Sequence, residues 1–136
     1  MQPSAILESA LYVTDLDEAE RFYGEVLGLD LILKAEGRHV FFRCGSGVLL
    51  LFNAEATRNQ LAAGAKLPIP PHGTTGEGHL CFAATADEIV QWKAVFEAKG
   101  IAIEADFEWP NEGRSIYIRD PSGNSIEFAE PRIWGL

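Results

Sequence analysis

The sequence predicts an α+β protein made of two consecutive βαβββ modules within one domain. Three observations predict it. Residues 36–52 (EGRHVFFRCGSGVLLLF) and 112–128 (EGRSIYIRDPSGNSIEF) align without a gap at an offset of 76, with seven of seventeen positions identical. A self-match at fixed spacing marks one supersecondary unit used twice. Each copy is preceded by a short alternating strand and an amphipathic helix, and a Pro-rich stretch separates the two. The 136 residues suit a single domain, 1–136, divided into module one (5–53), a connector (54–77), module two (78–131) and a tail (132–136). In the gapless alignment Leu51 stands opposite Glu127. A carboxylate in place of a leucine within a strand points to chemistry in the second copy that the first lacks.

Module one opens on a strand over 6–13, with Leu7, Ser9, Leu11 and Val13 on one face and Glu8, Ala10 and Tyr12 on the other. Thr14 or Asp15 caps the helix that follows, and Glu18 three residues after Asp15 resembles a capping box. Leu16, Ala19, Phe22, Tyr23, Val26 and Leu27 recur at helical spacing as a buried stripe, and Gly28 ends it. Strands follow at 29–35, 40–43 and 48–53, the last two joined by a turn over 44–47. Residues 54–63 read as a short helix, after which Pro68, Pro70 and Pro71 exclude regular structure. A connector this long suits a lid, a dimer contact or a linker.

Module two repeats the plan. A strand over 78–84 leads to a helix capped by Thr85 or Asp87 and ended by Gly100, with the stripe Ile89, Val90, Trp92, Lys93 (stem only), Val95 and Phe96. Strands at 101–109, 115–119 and 125–129 follow, the last two joined by the DPSGN turn over 120–124. The tail RIWGL carries Trp134, which is predicted to dock on its own chain or a partner.

A formal charge of −9 and a pI near 4.7 argue against nucleic acid or an anionic membrane surface as partner. Cys44 and Cys81 form no C-x-x-C or zinc-ribbon spacing, so a reduced, cytoplasmic protein without a disulfide is expected. The first residues show neither a basic segment nor a long apolar run, which argues against a signal peptide. The longest apolar run, 48–52, is far too short to span a membrane.

Strand alternation then picks out the chemistry. Ile126 and Phe128 belong under the helices, which leaves Glu127 on the opposite face. The same rule sends Glu8, His79, Ser115, Tyr117 and Arg119 there, beside the small Ala10, Cys81, Ala83 and Ala129. Acid, imidazole and acid among small side chains describe a lined cavity, to which Tyr12, Phe41 and Leu51 would contribute apolar surface. If the last strand of module two neighbours its first, Glu127 meets His79. Glu8 holds the matching place in module one. Two carboxylates and an imidazole brought together repel without a counter-ion. A divalent cation, whether Mn²⁺, Fe²⁺, Ni²⁺, Co²⁺ or Zn²⁺, resolves that. Three protein ligands leave positions open for water and substrate. Tyr117 reads as a hydrogen-bond donor to a bound oxygen. Arg119 reads as a receiver of an anionic substrate group or, like Arg43 in module one, as a structural residue. His72 reads as a solvated loop residue and His39 as a surface one. Neither cysteine has a partner that would make it a nucleophile. The glycines at 45 and 47 precede no helix, which excludes a phosphate loop.

The tandem plan, the opening strand followed by DLDEAERFYGEVLGL and the closing YIRDPSGNSIEF resemble the vicinal oxygen chelate superfamily, which includes glyoxalase I, fosfomycin resistance enzymes, extradiol dioxygenases and bleomycin resistance proteins. The resemblance covers nearly the whole chain. It implies a curled, half-open mixed sheet around a cavity, with the helices outside. It also implies metal ligands on the first strand of each module and on the last strand, which fall here on Glu8, His79 and Glu127. Glyoxalase I-like members carry a fourth ligand at the place aligned with Leu51. The expected activity is that of a metal-dependent lyase, isomerase or dioxygenase whose small substrate chelates the metal through vicinal oxygens, with Glu8 or Glu127 moving the proton. The alternative is a metal-free binding protein of the bleomycin resistance kind. A homodimer is expected from the family.

Overall fold

Each module closes its sheet by laying its first strand against its last. In a computed structural model of the chain, which describes residues 1–59 and 67–136, β1 (Glu8–Tyr12) runs parallel to β4 (Gly47–Phe52). β4 pairs antiparallel with β3 (His39–Cys44), and β3 with β2 (Asp30–Ala35), giving the order β1-β4-β3-β2. Parallel neighbours need a crossover, and α1 (Leu16–Arg21), continued by a π-helical turn over Phe22–Val26, lies in it. Asp15 caps α1 by accepting from the backbone N–H groups of Asp17 and Glu18. The short α2 (Ala54–Arg58) bears out the first half of the helix expected over 54–63; residues 60–63 of that expectation lie outside the described residues.

The second unit is built the same way. β5 (His79–Ala83) is parallel to β8 (Ser125–Ala129), followed by β7 (Arg114–Arg119) and β6 (Ala105–Glu108), in the order β5-β8-β7-β6. The crossover helix α3 (Ala86–Ala98) starts on a complete capping box between Thr85 and Glu88. The chain thus forms two units, Met1–Gly76 and Glu77–Leu136, each with a four-stranded mixed sheet.

One face of each sheet is the core. In the first unit Leu11, Val13, Val40, Phe42, Leu49 and Leu51 are buried with Ala19, Phe22 and Tyr23. In the second, Ile116, Ile118, Ile126 and Phe128 are buried with Ile89 and Phe96. Phe128 is the hub: its ring lies 4.9 Å from Trp92, 5.2 Å from Phe82 and 5.5 Å from Phe96, centroid to centroid. Val90, expected in the helical stripe, is 57% exposed. It follows Ile89 directly, and adjacent helical residues lie about 100° apart around the axis. The tail docks through its 3₁₀ turn, Pro131–Trp134. A Cβ on Gly113 would stand 2.4 Å from Ile133 Cγ2, so glycine leaves the room that Ile133 occupies. Trp134 itself is 78% exposed on this chain.

The register corrects the gapless repeat. Phe41 pairs with Leu50 and Val40 with Leu51. In module two Tyr117, the counterpart of Phe41, pairs with Glu127, and Ile116 with Phe128. The residue matching Glu127 is therefore Leu50, and Leu51 matches Phe128. The cause is the turn. Cys44 and Gly47 pair across Gly45 and Ser46, whereas the Asp120 N–H donates to the Asn124 carbonyl (3.1 Å) across Pro121, Ser122 and Gly123. One extra residue in a hairpin turn moves every later side chain to the other face. Leu51, expected to line the open face, is 0% exposed and belongs to the core.

Candidate functional site

In the second unit the face of the sheet opposite α3 carries His79 and Cys81 from β5, Glu127 from β8 and Tyr117 from β7. The registers Cys81↔Glu127 and Tyr117↔Glu127 set Glu127 between the other two. Its position follows from the turn. Asp120 Oδ1 accepts from the N–H groups of Ser122 and Asn124, and Asn124 Oδ1 accepts from the Gly78 N–H at 2.7 Å. The DPSGN segment therefore fixes the β7–β8 hairpin and ties it to the residue before His79.

Glu127 is 5% exposed. Its Oε2 lies 3.3 Å from His79 Nε2, while Oε1 is buried without a hydrogen-bond partner. His79 Nδ1 lies 3.1 Å from the Ser125 carbonyl oxygen. A carbonyl only accepts, so Nδ1 carries the proton. Nε2 and Glu127 Oε2 thus face a point that a proton or a divalent cation can occupy, and the buried Oε1 is left without a partner. A histidine whose second nitrogen is held by a backbone carbonyl is also the usual arrangement of a metal-ligating imidazole. These residues fit a divalent cation. Among the described residues no group of three or more His, Cys, Asp and Glu side chains is gathered as a metal site; Glu8 stands exposed at the start of β1 in the first unit.

Burial, and then the Glu127 carboxylate, push both neighbours up: the Tyr117 hydroxyl to about 12 and the Cys81 thiol to about 12. Both stay protonated at neutral pH. Tyr117 is thus a standing donor and Cys81 is not a nucleophile. The thiolate is the reactive form, so iodoacetamide should label Cys81 at pH 8, in a Cys44→Ser background, at least roughly tenfold more slowly than a thiol of ordinary acidity. Glu127→Gln should speed that labelling. Labelling at the ordinary rate in the parent would contradict the arrangement.

Arg119 does not present a free guanidinium. Its Nε and Nη2 donate to both oxygens of Glu104 (2.5 and 2.9 Å), Nη1 donates to the Gly123 carbonyl at 3.0 Å, and Glu77 lies 3.6 Å away. The structural reading of this arginine is the one its contacts support. Tyr12 is half-buried on the open face of the first sheet, where its hydroxyl meets His72 Nδ1 at 2.6 Å.

Sequence reasoning missed two groups. His72, read as a solvated loop residue, is anchored by its N–H to the Thr57 carbonyl and sits 4.7 Å from the Phe52 ring. His39 stacks on Phe41 at 4.1 Å. With Tyr12 and Phe52 these rings make an aromatic lining on the first unit's open face. Burial, then Arg38, lower the His39 pKa and favour the neutral ring. The second group is Phe107 and Trp109 at the edge of the second sheet. Strand alternation alone would have set them on the face of Tyr117, since Phe107 pairs with Ser115.

The model of the Glyoxalase/Bleomycin resistance protein/Dioxygenase superfamily matches residues 5–128. A solved structure described as lactoylglutathione lyase from Agrobacterium tumefaciens is 49% identical, covers 100% of both chains and superposes with a TM-score of 0.93. Virulence protein STM3117 of Salmonella typhimurium is 28% identical over 123 residues, 88% of this chain and 79% of that protein. Its solved structure gives a TM-score of 0.68 over 96% of this chain and 98% of the other. Among the described residues no helix is long and apolar enough to cross a membrane. The two βαβββ units, each with a four-stranded mixed sheet, and these matches together make this chain a member of the Glyoxalase/Bleomycin resistance protein/Dioxygenase superfamily.

Proposed function

We infer that this chain is a metal-dependent enzyme acting on a small substrate that offers two vicinal oxygens, with chemistry of the lyase or isomerase type. The observation that carries the reading is the buried Glu127 carboxylate, with Oε1 unpartnered and Oε2 facing a histidine whose Nδ1 is already committed. His79 and Glu127 would hold the cation. A bound divalent cation would act as Lewis acid toward the substrate oxygens and stabilise negative charge developing on them. Ser125 holds the His79 ring in one tautomer through its carbonyl. Glu127 is the group to take and return a proton, because it is a carboxylate in a largely dry setting. Tyr117 keeps its proton beside it and can donate to an oxyanion. The lyase or isomerase class is preferred to ring-cleaving oxygenation because the relative at 49% identity bears the name lactoylglutathione lyase.

A second reading, a metal-free binding protein, draws support from the aromatic lining of the first unit, Tyr12, Phe41, Phe52 and His72, which suits a ligand without a metal. Calorimetric titration of the purified protein with Mn²⁺, Ni²⁺ and Zn²⁺, beside Glu127→Ala and His79→Ala, separates the two. The enzyme reading expects one tight site per chain, weakened in both variants. Heats no larger in wild type than in the variants would leave the binding-protein reading.

A further inference from the structure

We propose that the substrate's chelating oxygens are attached to an uncharged aromatic or apolar ring, received by Tyr117, Phe107 and Trp109; this rests on the metal-dependent reading above. β6 is an edge strand, yet it and the residue following it present large apolar side chains to solvent: Phe107 is 40% and Trp109 38% exposed. Exposed aromatics in a row are a recognised sign of a binding surface. These lie on the same sheet face as Glu127, by the registers Phe107↔Ser115 and Tyr117↔Glu127.

The rings form a continuous wall leading away from His79. Tyr117 lies 6.2 Å from His79 at an interplanar angle of 21°, and Phe107 lies 5.8 Å from Tyr117 at 7°. Trp109 meets Phe107 edge-on at 5.0 Å. Trp109 is held in place, since its Nε1–H donates to Ser115 Oγ at 2.8 Å, and Ser115 is fully buried. Beyond it opens a cleft of about 310 Å³ lined by Trp109, Pro110, Asn111, Ile133 and Trp134, a volume within the range of ligand pockets. A fixed aromatic surface at the end of a polar site is suited to a flat apolar group.

Charge argues in the same direction. The arginine of this face, Arg119, is spent on Glu104 and Gly123. β7 therefore offers no free guanidinium to a substrate carboxylate on this face, and a neutral ring needs no such partner.

Benzohydroxamate and acetohydroxamate test this, because both chelate through vicinal oxygens and differ by a phenyl against a methyl group. On Mn²⁺-loaded protein the phenyl ligand should bind roughly tenfold or more tightly than the methyl one, as burial of an apolar ring implies. Phe107→Ala should shrink that ratio several-fold while leaving acetohydroxamate affinity unchanged. A ratio near one in wild type, or an unchanged ratio in Phe107→Ala, overturns the proposal. So does a phenyl preference that disappears as the protein self-associates, which would make the row an interface between copies. Benzamide, which needs no metal, tells failure of the underlying reading apart. If neither hydroxamate binds yet benzamide shifts the Trp109 indole N–H resonance in NMR spectra, the metal reading fails and the ring site stands. If benzamide leaves that resonance unmoved, the ring site fails.

Discussion

Glu127→Gln should weaken divalent-cation binding at least ~100-fold, beyond the loss typical of a residue that merely supports a ligand. The same change should stabilise the metal-free protein. Glutamine keeps the shape of the side chain, removes a buried charge and gives His79 Nε2 a donor in place of a facing lone pair. An unpaired buried polar group costs about 1–3 kcal/mol, so a gain of that order is expected in EDTA. Wild type with metal at about 100 times its Kd should recover about 2.7 kcal/mol, and a variant weakened 100-fold or more should recover at most about 0.4 kcal/mol. The variant's advantage in EDTA should therefore shrink or reverse in metal, as expected of a functional carboxylate maintained at the expense of stability. Thermal denaturation in EDTA and in Mn²⁺ reads both. A variant less stable than wild type in EDTA, or a wild type indifferent to every divalent cation, would contradict the assignment.

Phe128→Ala, one residue along, should behave in the contrary way. Its ring is 3% exposed at the centre of the Phe82, Trp92 and Phe96 cluster. Truncating such a side chain costs about 3–5 kcal/mol through lost transfer energy and the cavity left behind. Urea unfolding should show a lower midpoint at an unchanged slope. A loss below ~1 kcal/mol would mean that the cluster does not hold the second sheet to α3. Paired with Glu127→Gln, this comparison separates the two faces of one strand: one side carries stability and the other carries chemistry.

Much of this was legible in the sequence because it depends on local rules. The two capped helices, the DPSGN turn and the alternation that turns Glu127 away from Phe128 are each set within a few residues. What was not legible depends on pairing. Which residue of module one corresponds to Glu127 turned on the length of a hairpin turn, which identity scoring cannot see when Ser46, Gly47 and Phe52 match by coincidence of type. Arg119 was open to two readings until β6 brought Glu104 alongside it. His72 lies sixty residues from Tyr12, and only the path of the connector joins them. The chemistry of single residues could be read ahead, whereas their engagement by distant partners could not.

The unequal hairpins have a consequence for how duplicated modules diverge. A point substitution alters one side chain at a time. A one-codon insertion or deletion in the turn between β3 and β4 exchanges the inward and outward sets of the whole following strand at once. In this chain such an event in module one would expose Leu49 and Leu51 and drive Val48, Leu50 and Phe52 against α1, all of them apolar. The strand 48–52 tolerates either frame, while β8, which alternates Ile126 and Phe128 with Ser125 and Glu127, tolerates only one. The first copy is thus the permissive ground for new length variants, and the second is locked by the carboxylate it presents.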